Sequence, residues 1–532
     1  MKRLGISALL ALALMAISLP SGASGNHNHP PPPPPGPPVE FNDGIASGDV
    51  TQSRAILWTR VNSARRVTVE VSWNPWFWGW NSFTGKFRTS AARDFTVKID
   101  AKHLWPGLRY WYRFKASPTD NNSNVVYSDV GTFRTAPWTW KKSDVDWTYD
   151  GDSDTTKVPN GTGVNPFNNW EVLDRAREED GDFFVYLGDT IYSDSSFRTS
   201  GPATTVDEYR DTYEEGRTYP ALTELMKSTS TYPLMDDHEV QNDYDGKTVD
   251  PARYDAGRQA FLEWMPIRET GLLHDTSCAG DPLYRKVKWG KDVELFITDQ
   301  RACRDADVQF TPCGGDLGPT LPPPVRQTFP FSLFLTPNPP PGCVDAINDP
   351  NRTMLGPVQK ARFKSDLLNS TAKQKIVVSE LAWQNFYVQP YDRWEGYGGE
   401  RSEILNFIRD NGIENVQFET TDNHMTMQNQ VFIDNYSDNQ TIAYEAITGP
   451  VATNTFQQEV IAQAGLIGLF AVNQILNLVG IDCRHLDKYS YGSSQYDKTT
   501  GLYTVSSKDQ AGAVVTDQNN PLIPCTQTAP PQ

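Results

Sequence analysis

Near residue 137 the hydrophobic pattern of this chain changes period, and that change limits its fold more than any other feature. From about 41 to 134, short stretches alternate apolar and polar residues, as in Arg54-Ala55-Ile56-Leu57-Trp58 and Val67-Thr68-Val69-Glu70-Val71, with turn residues between them. Side chains alternate across a strand, so a period of two implies half-buried strands, and their succession implies a small β-sandwich. Beyond Trp138 the pattern changes to segments that read as buried strands, at 182–187, 293–297, 376–378 and 416–418, with helical patterns at 170–177, 252–265, 359–368 and 403–409. Buried strands alternating with helices predict a layered α/β or α+β domain with functional residues at the strand ends.

Two segments precede this pattern. Lys2-Arg3, the apolar run 8–19 and Ser21-Gly22-Ala23-Ser24-Gly25 follow the plan of a secretory signal peptide, expected over 1–25. The run is too short to span a bilayer, and the absence of an Arg-Arg pair favours the general secretory route. Residues 26–40 hold a proline tract that reads as a polyproline II linker, in which His27 and His29 have no fixed coordination geometry. The expected organisation is thus a signal peptide at 1–25, a linker at 26–40, an N-terminal β-sandwich at 41–137 and a layered domain of strands and helices at 138–525, in a protein that is secreted, periplasmic or at the cell surface.

Formal charge is −17, from 48 basic and 65 acidic residues. No net positive field exists to collect phosphates, which argues against nucleic acid as the main partner. The six cysteines, Cys278, Cys303, Cys313, Cys343, Cys483 and Cys525, suggest disulfides in an exported protein. Six allow 15 pairings, among which sequence does not choose. Four of them surround a proline-rich insertion at 303–345, where stapling is the expected role.

Three further stretches bear on the fold. Segment 104–114 contains Tyr110 in the setting of a fibronectin-like tyrosine corner. Trp73, Trp76, Phe77, Trp78 and Trp80 form an aromatic cluster expected to pack between the two domains, with sugar stacking or a membrane interface as the alternative. The apolar segment 456–480 is interrupted by Gln463, Asn473, Gln474 and Asn477, so a buried or active-site-flanking helix is expected and a stable membrane span is not.

The chemistry gathers in four places. Strand 182–187 runs into Gly188-Asp189-Thr190-Ile191-Tyr192, where a carboxylate on the turn is placed to bridge two cations and a tyrosine three residues on can return to one of them. Upstream, Asp152 follows the short strand 145–149; an acidic solvated loop reads equally well there. Asp236-Asp237-His238-Glu239 sets hard metal ligands beside a group able to move a proton. Asp422 and His424 follow strand 416–418, and an extended backbone would send both side chains to one face.

Taken in order, these segments resemble the calcineurin-like metallophosphoesterases, and their wording is similar to the PhoD-like phosphatases (alkaline phosphatase D family). The similarity rests on Gly-Asp-Thr-Ile-Tyr at 188–192, Asp-Asp-His-Glu-Val at 236–240, Asp299-Gln300-Arg301 with Arg304, Asp-x-His at 422–424, and an opening Gly44-Ile45-Ala46-Ser47-Gly48-Asp49-Val50 followed by Leu57-Trp58-Thr59-Arg60. The resemblance implies a metallophosphoesterase β-sandwich core flanked by helices, and a metal-activated water acting on a small-molecule or polymer phosphoester. It implies metal binding by Asp152, Asp189, Tyr192, Asp237, Asp422 and His424, with His238 facing the phosphate as the catalytic residue. A tyrosine phenolate suits ferric iron and the carboxylates suit calcium or another hard divalent ion. Some relatives have a cysteine where Asp152 stands, and most have Gly-Asp-x-His where this chain has Thr421-Asp422-Asn423-His424. A purple acid phosphatase-like enzyme and a non-catalytic exported binding protein are the alternatives.

Overall fold

Three N-terminal strands, Ile45–Gly48, Ala55–Arg60 and Thr96–Ala101, pair antiparallel, with Ile45 opposite Thr59 and Ala55 opposite Ala101. Four more, Arg66–Ser72, Phe83–Arg88, Arg109–Ala116 and Gly131–Arg134, build a second layer completed by the short strand Val126–Tyr127. Arg109–Ala116 buries every second residue, which sends Tyr110, Tyr112 and Phe114 into the core with Val67, Val69, Val97 and Leu57. The tyrosine corner forms: the Tyr110 hydroxyl accepts the backbone N–H of Trp105 at 2.8 Å. The computed structural model describes residues 38–529 except 64, 80, 119–123, 157–169 and 435–439. The expected signal peptide, most of the linker with His27 and His29, and Trp80 therefore lie outside the described residues.

One sheet of the sandwich continues past residue 137. Ile45–Gly48 also pairs in parallel with Thr231–Pro233, and the sheet runs on through Phe183–Tyr186 and Val145–Asp150 to the C-terminal strands Ser490–Tyr496, Tyr503–Asp509 and Thr526–Ala529, nine strands in all. A second sheet of seven strands is centred on Val293–Ile297, Gln374–Val378, Val416–Thr420 and Ala443–Ile447, paired in parallel. Trp147, Phe183, Trp289, Leu295 and Ile376 are buried in one common core fed by both sheets. Helices Val206–Gly216, Pro220–Ser228 and Pro251–Trp264 share a second core with Phe184 and Tyr186, and helices Gly356–Leu368 and Gly398–Asp410 share a third with Phe296, Val377 and Phe418. The result is helices outside two packed sheets, the layered plan that two-faced burial of each central strand demands.

Cysteines pair as Cys278–Cys303, Cys313–Cys343 and Cys483–Cys525, so two of the bridges hold the 303–345 insertion. The aromatic cluster does not pack between domains. Trp73, Trp76 and Trp78 are 62, 66 and 73 % exposed, Trp76 stacks on Trp78 and Arg113 lies over Phe77, because the segment loops away from the strand end instead of crossing to the neighbouring layer. Helix Phe456–Leu478 is long and apolar enough to cross a membrane by length and composition. Its Ala471, Val472, Ile475 and Leu476 are nevertheless buried, its chain breaks at Gly465 (φ 63°), and its first turn reaches the cleft described next.

Candidate active site

The carboxyl ends of Val145–Asp150, Phe183–Tyr186 and Val416–Thr420 open onto one cleft of about 620 Å³. Each strand end turns sharply there. Asp152 (φ 57°), Asp189 (φ 45°), Asp422 (φ 65°) and His424 (φ 49°) all adopt left-handed backbone, which costs on the order of 1–3 kcal/mol each and persists where the surroundings hold it. Gly188 (φ 92°) supplies the turn before Asp189, and a Cβ there would lie 2.6 Å from that of Asp236.

Asp152, Asp189 and His424 bring ligand atoms within 4.8 Å of one another, as do Asp189, Asp237 and His238, and then Asp237, Asp243 and Asp392. The groups form a chain, with Asp189 shared by the first two and Asp237 by the last two. Tyr192 joins the first: its hydroxyl stands 3.1 Å from His424 Nε2 and its ring stacks on His238 at 4.0 Å. His424 Nδ1 bonds Glu459 Oε1 at 2.9 Å, which leaves Nε2 toward the carboxylates, the carboxylate–imidazole arrangement that fixes a metal-binding tautomer. Glu459 sits in the first turn of helix Phe456–Leu478, so this apolar helix flanks the site, as expected.

The electrostatics ask for added positive charge. Burial first, then Asp237, Asp236, Glu239 and Asp152, push Asp189 well above the usual carboxylate range. Asp152 is raised by burial, although His424 and the Thr421 hydroxyl, 2.5 Å away, oppose the shift. Burial and the neighbouring Asp189, Asp152, Asp154 and Glu459 lift the Tyr192 phenol far above 10. Asp237 Oδ1 is buried and takes no hydrogen bond among the described residues, an orphan of the kind that costs free energy unless something absent fills it. Oxygen-rich donors, one phenol and one imidazole fit hard cations.

His238 is held for another task. Its Nδ1 bonds Asp194 Oδ1 at 2.5 Å and its backbone N–H donates to Asp189 Oδ1 at 3.2 Å. Burial lowers its pKa, but Asp237 and the Asp194 bond outweigh burial and raise it to about 10.

Asp422 departs from the expectation. The segment after Val416–Thr420 is a tight turn rather than extended chain, although both Asp422 and His424 line the cleft. His424 joins the first group, whereas the Asp422 carboxylate lines the cleft 3.7 Å from Arg301 Nη2 and belongs to none of the three groups. Arg301, fully buried, also bonds Asp236 at 2.5 Å and Asp392 at 2.6 and 3.0 Å, and lies 3.4 Å from Asp237. Arg301 and Arg304 belong to a quoted motif without an assigned role, and Asp194 stands two residues beyond Tyr192. Asp243, Asp392 and Glu459 carried no signal beyond being acidic.

The chain matches the family model of the PhoD-like phosphatases over residues 161–478 and that of their N-terminal domain over residues 28–137. It is 24 % identical over 445 residues to alkaline phosphatase D of Bacillus subtilis (strain 168), a match spanning 74 % of this chain and 66 % of that protein. A solved structure of PhoD superposes with a TM-score of 0.71 at 20 % identity, covering 90 % of this chain and 93 % of that one. A purple acid phosphatase from yellow lupin (Lupinus luteus) seeds follows with a TM-score of 0.55 at 10 % identity, covering 92 % and 74 %.

Proposed function

Because the chain belongs to the PhoD-like phosphatases, a family of phosphoric ester hydrolases, we propose that it is a secreted, metal-dependent phosphoesterase acting on phosphomonoesters, phosphodiesters or both. The observation that carries this reading is the run of three acidic and imidazole groups sharing Asp189 and Asp237 along the cleft. Asp152, Asp189, Tyr192 and His424 would hold one cation, and Asp189 and Asp237 would begin the next. Asp422 would then act through Arg301 or a bound cation. Iron at the Tyr192 site and calcium at the carboxylates fit the donor chemistry. Bound there, cations neutralise phosphoryl oxygens and lower the proton affinity of a water placed in line with the leaving group.

The chain's own groups supply the rest. With Nδ1 anchored by Asp194, His238 presents Nε2 to the substrate, where a proton can pass to the departing oxygen. Glu459 anchors His424 Nδ1 and so turns Nε2 toward the cation site, where a bound cation would take the place of its proton. Three disulfides suit an oxidising compartment, which supports export. The purple acid phosphatase alternative wants a histidine-rich ligand set, and among the described residues only His238 and His424 line the cleft as histidines.

The test is His238→Ala, assayed on chromogenic mono- and diesters with graded leaving groups. Turnover is expected to fall roughly a hundredfold, with less loss for the best leaving groups and metal content unchanged. Near-normal turnover on every ester would show that the reaction centre lies elsewhere.

A further inference from the structure

Gln389 and Gln463 line the catalytic cleft on one side and a second cavity, of about 250 Å³, on the other. Leu321, Phe331 and Leu335 of the disulfide-tied insertion form one wall, and Val460, Ala464 and Val472 of helix Phe456–Leu478 form the opposite one. Among the described residues, no charged one lines it. The helix thus serves both spaces, since Glu459 bonds His424 while the next residue, Val460, faces the apolar cavity. Around it Phe329, Leu333, Leu466 and Phe470 stay exposed, with Phe329 and Phe470 in ring contact at 6.2 Å. Isolated surface apolar residues are ordinary, but a cluster of them beside an apolar cavity marks a binding surface.

We propose that this cavity is a subsite for the apolar substituent of the substrate, so that the chain prefers amphiphilic phosphoesters whose phosphate sits among the acidic groups and whose alkyl or aryl group enters between insertion and helix. The inference rests on the phosphoesterase reading for the position of the phosphate. Continuity with the cleft through Gln389 and Gln463 selects the substrate's own tail as the occupant. Size agrees: an apolar cavity of about 150 Å³ already admits benzene.

Calorimetric titration of the metal-loaded protein with methyl-, butyl- and octylphosphonate, all below their micellar concentrations, tests this without turnover. Each added methylene should tighten binding about three- to fourfold until the cavity is full. Ala464→Phe and, from the other side, Val388→Trp narrow the cavity and should each cut the octyl-to-methyl affinity ratio at least tenfold; two variants guard against one that fails to fold. Octylphosphonate binding no tighter than methylphosphonate would overturn the proposal. So would a preference that survives both variants, or one that appears only above the micellar concentration, which would indicate adsorption on exposed Leu466 and Phe470. Tight octylphosphonate binding without hydrolysis of any ester would keep the subsite and sink the phosphoesterase reading. Hydrolysis without chain-length preference in binding would do the reverse.

Discussion

Two sets of buried carboxylates share the cleft and are held in opposite ways. Asp392 lies against Arg301 and Arg304, and although burial opposes it, the two guanidiniums hold it well below the usual carboxylate range. Asp189 stands among carboxylates and the imidazoles of His238 and His424, paired with no guanidinium among the described residues, and burial with Asp237, Asp236, Glu239 and Asp152 drives it the other way. The same residue type thus meets guanidiniums in one place and imidazoles amid other carboxylates in the other, where added cations would relieve the repulsion. Asp236 stands between the sets: bonded to Arg301, it is still pushed up to about 8 by burial.

Removing the protein's cation should have the largest effect. Arg301→Met leaves the fully buried Asp236 without its guanidinium and Asp392 with Arg304 alone, and breaking a buried pair from one side costs about 3–5 kcal/mol. A large drop in unfolding free energy is expected by denaturant titration, with Arg301→Lys in between. A loss under about 1 kcal/mol would mean that Asp236 and Asp392 are neutral in the fold.

A third kind of buried carboxylate sharpens the contrast. Glu419 is held by neutral donors only, Trp147 Nε1, the Ser494 hydroxyl and the Tyr503 hydroxyl, and burial raises it to about 7 despite them. The fold therefore binds this proton more tightly than the unfolded chain does. Its contribution is fully present below the unfolded pKa of about 4.5 and is lost as pH rises to about 7. Relative to the parent, Glu419→Gln should gain stability over that window, by up to about 3 kcal/mol at pH 8. A flat difference in melting temperature against pH would contradict this.

The smallest effect concerns Asp189 itself. Asparagine tolerates left-handed backbone, so Asp189→Asn relieves repulsion without straining φ. In metal-free protein it should stabilise the fold by about 1 kcal/mol while lowering metal content and turnover. Destabilisation of the metal-free variant would show that Asp189 is not repelled there.

Much of this was legible from residue order. The largely apolar segments at 182–187, 293–297, 376–378 and 416–418 each fall on a strand buried on both faces. Helices Glu171–Glu178, Pro251–Trp264, Gly356–Leu368 and Gly398–Asp410 appear close to their expected places. The C-terminal strands Ser490–Tyr496 and Tyr503–Asp509 were not foreseen, because serine, threonine and glutamine fill them and their burial comes from partners far away in sequence. Around the cleft, Asp152, Asp189, Tyr192, Asp237 and His424 come together, all but Asp237 following a strand that the sequence reveals. The turn that carries Asp422 and His424 rests on two positive φ values, and no residue type there announces them. Asp243, Asp392 and Glu459 arrive from a loop or a helix whose approach to the cleft is set by tertiary packing alone.

The central claim is that external cations complete this cleft and make it a phosphoesterase. Exhaustive chelation, with elemental analysis before and after, followed by assay on a chromogenic phosphoester, tests it most directly. The account predicts iron and calcium in the active protein, loss of essentially all turnover with their removal, and recovery when they are returned. Full turnover by protein shown to be metal-free would contradict it.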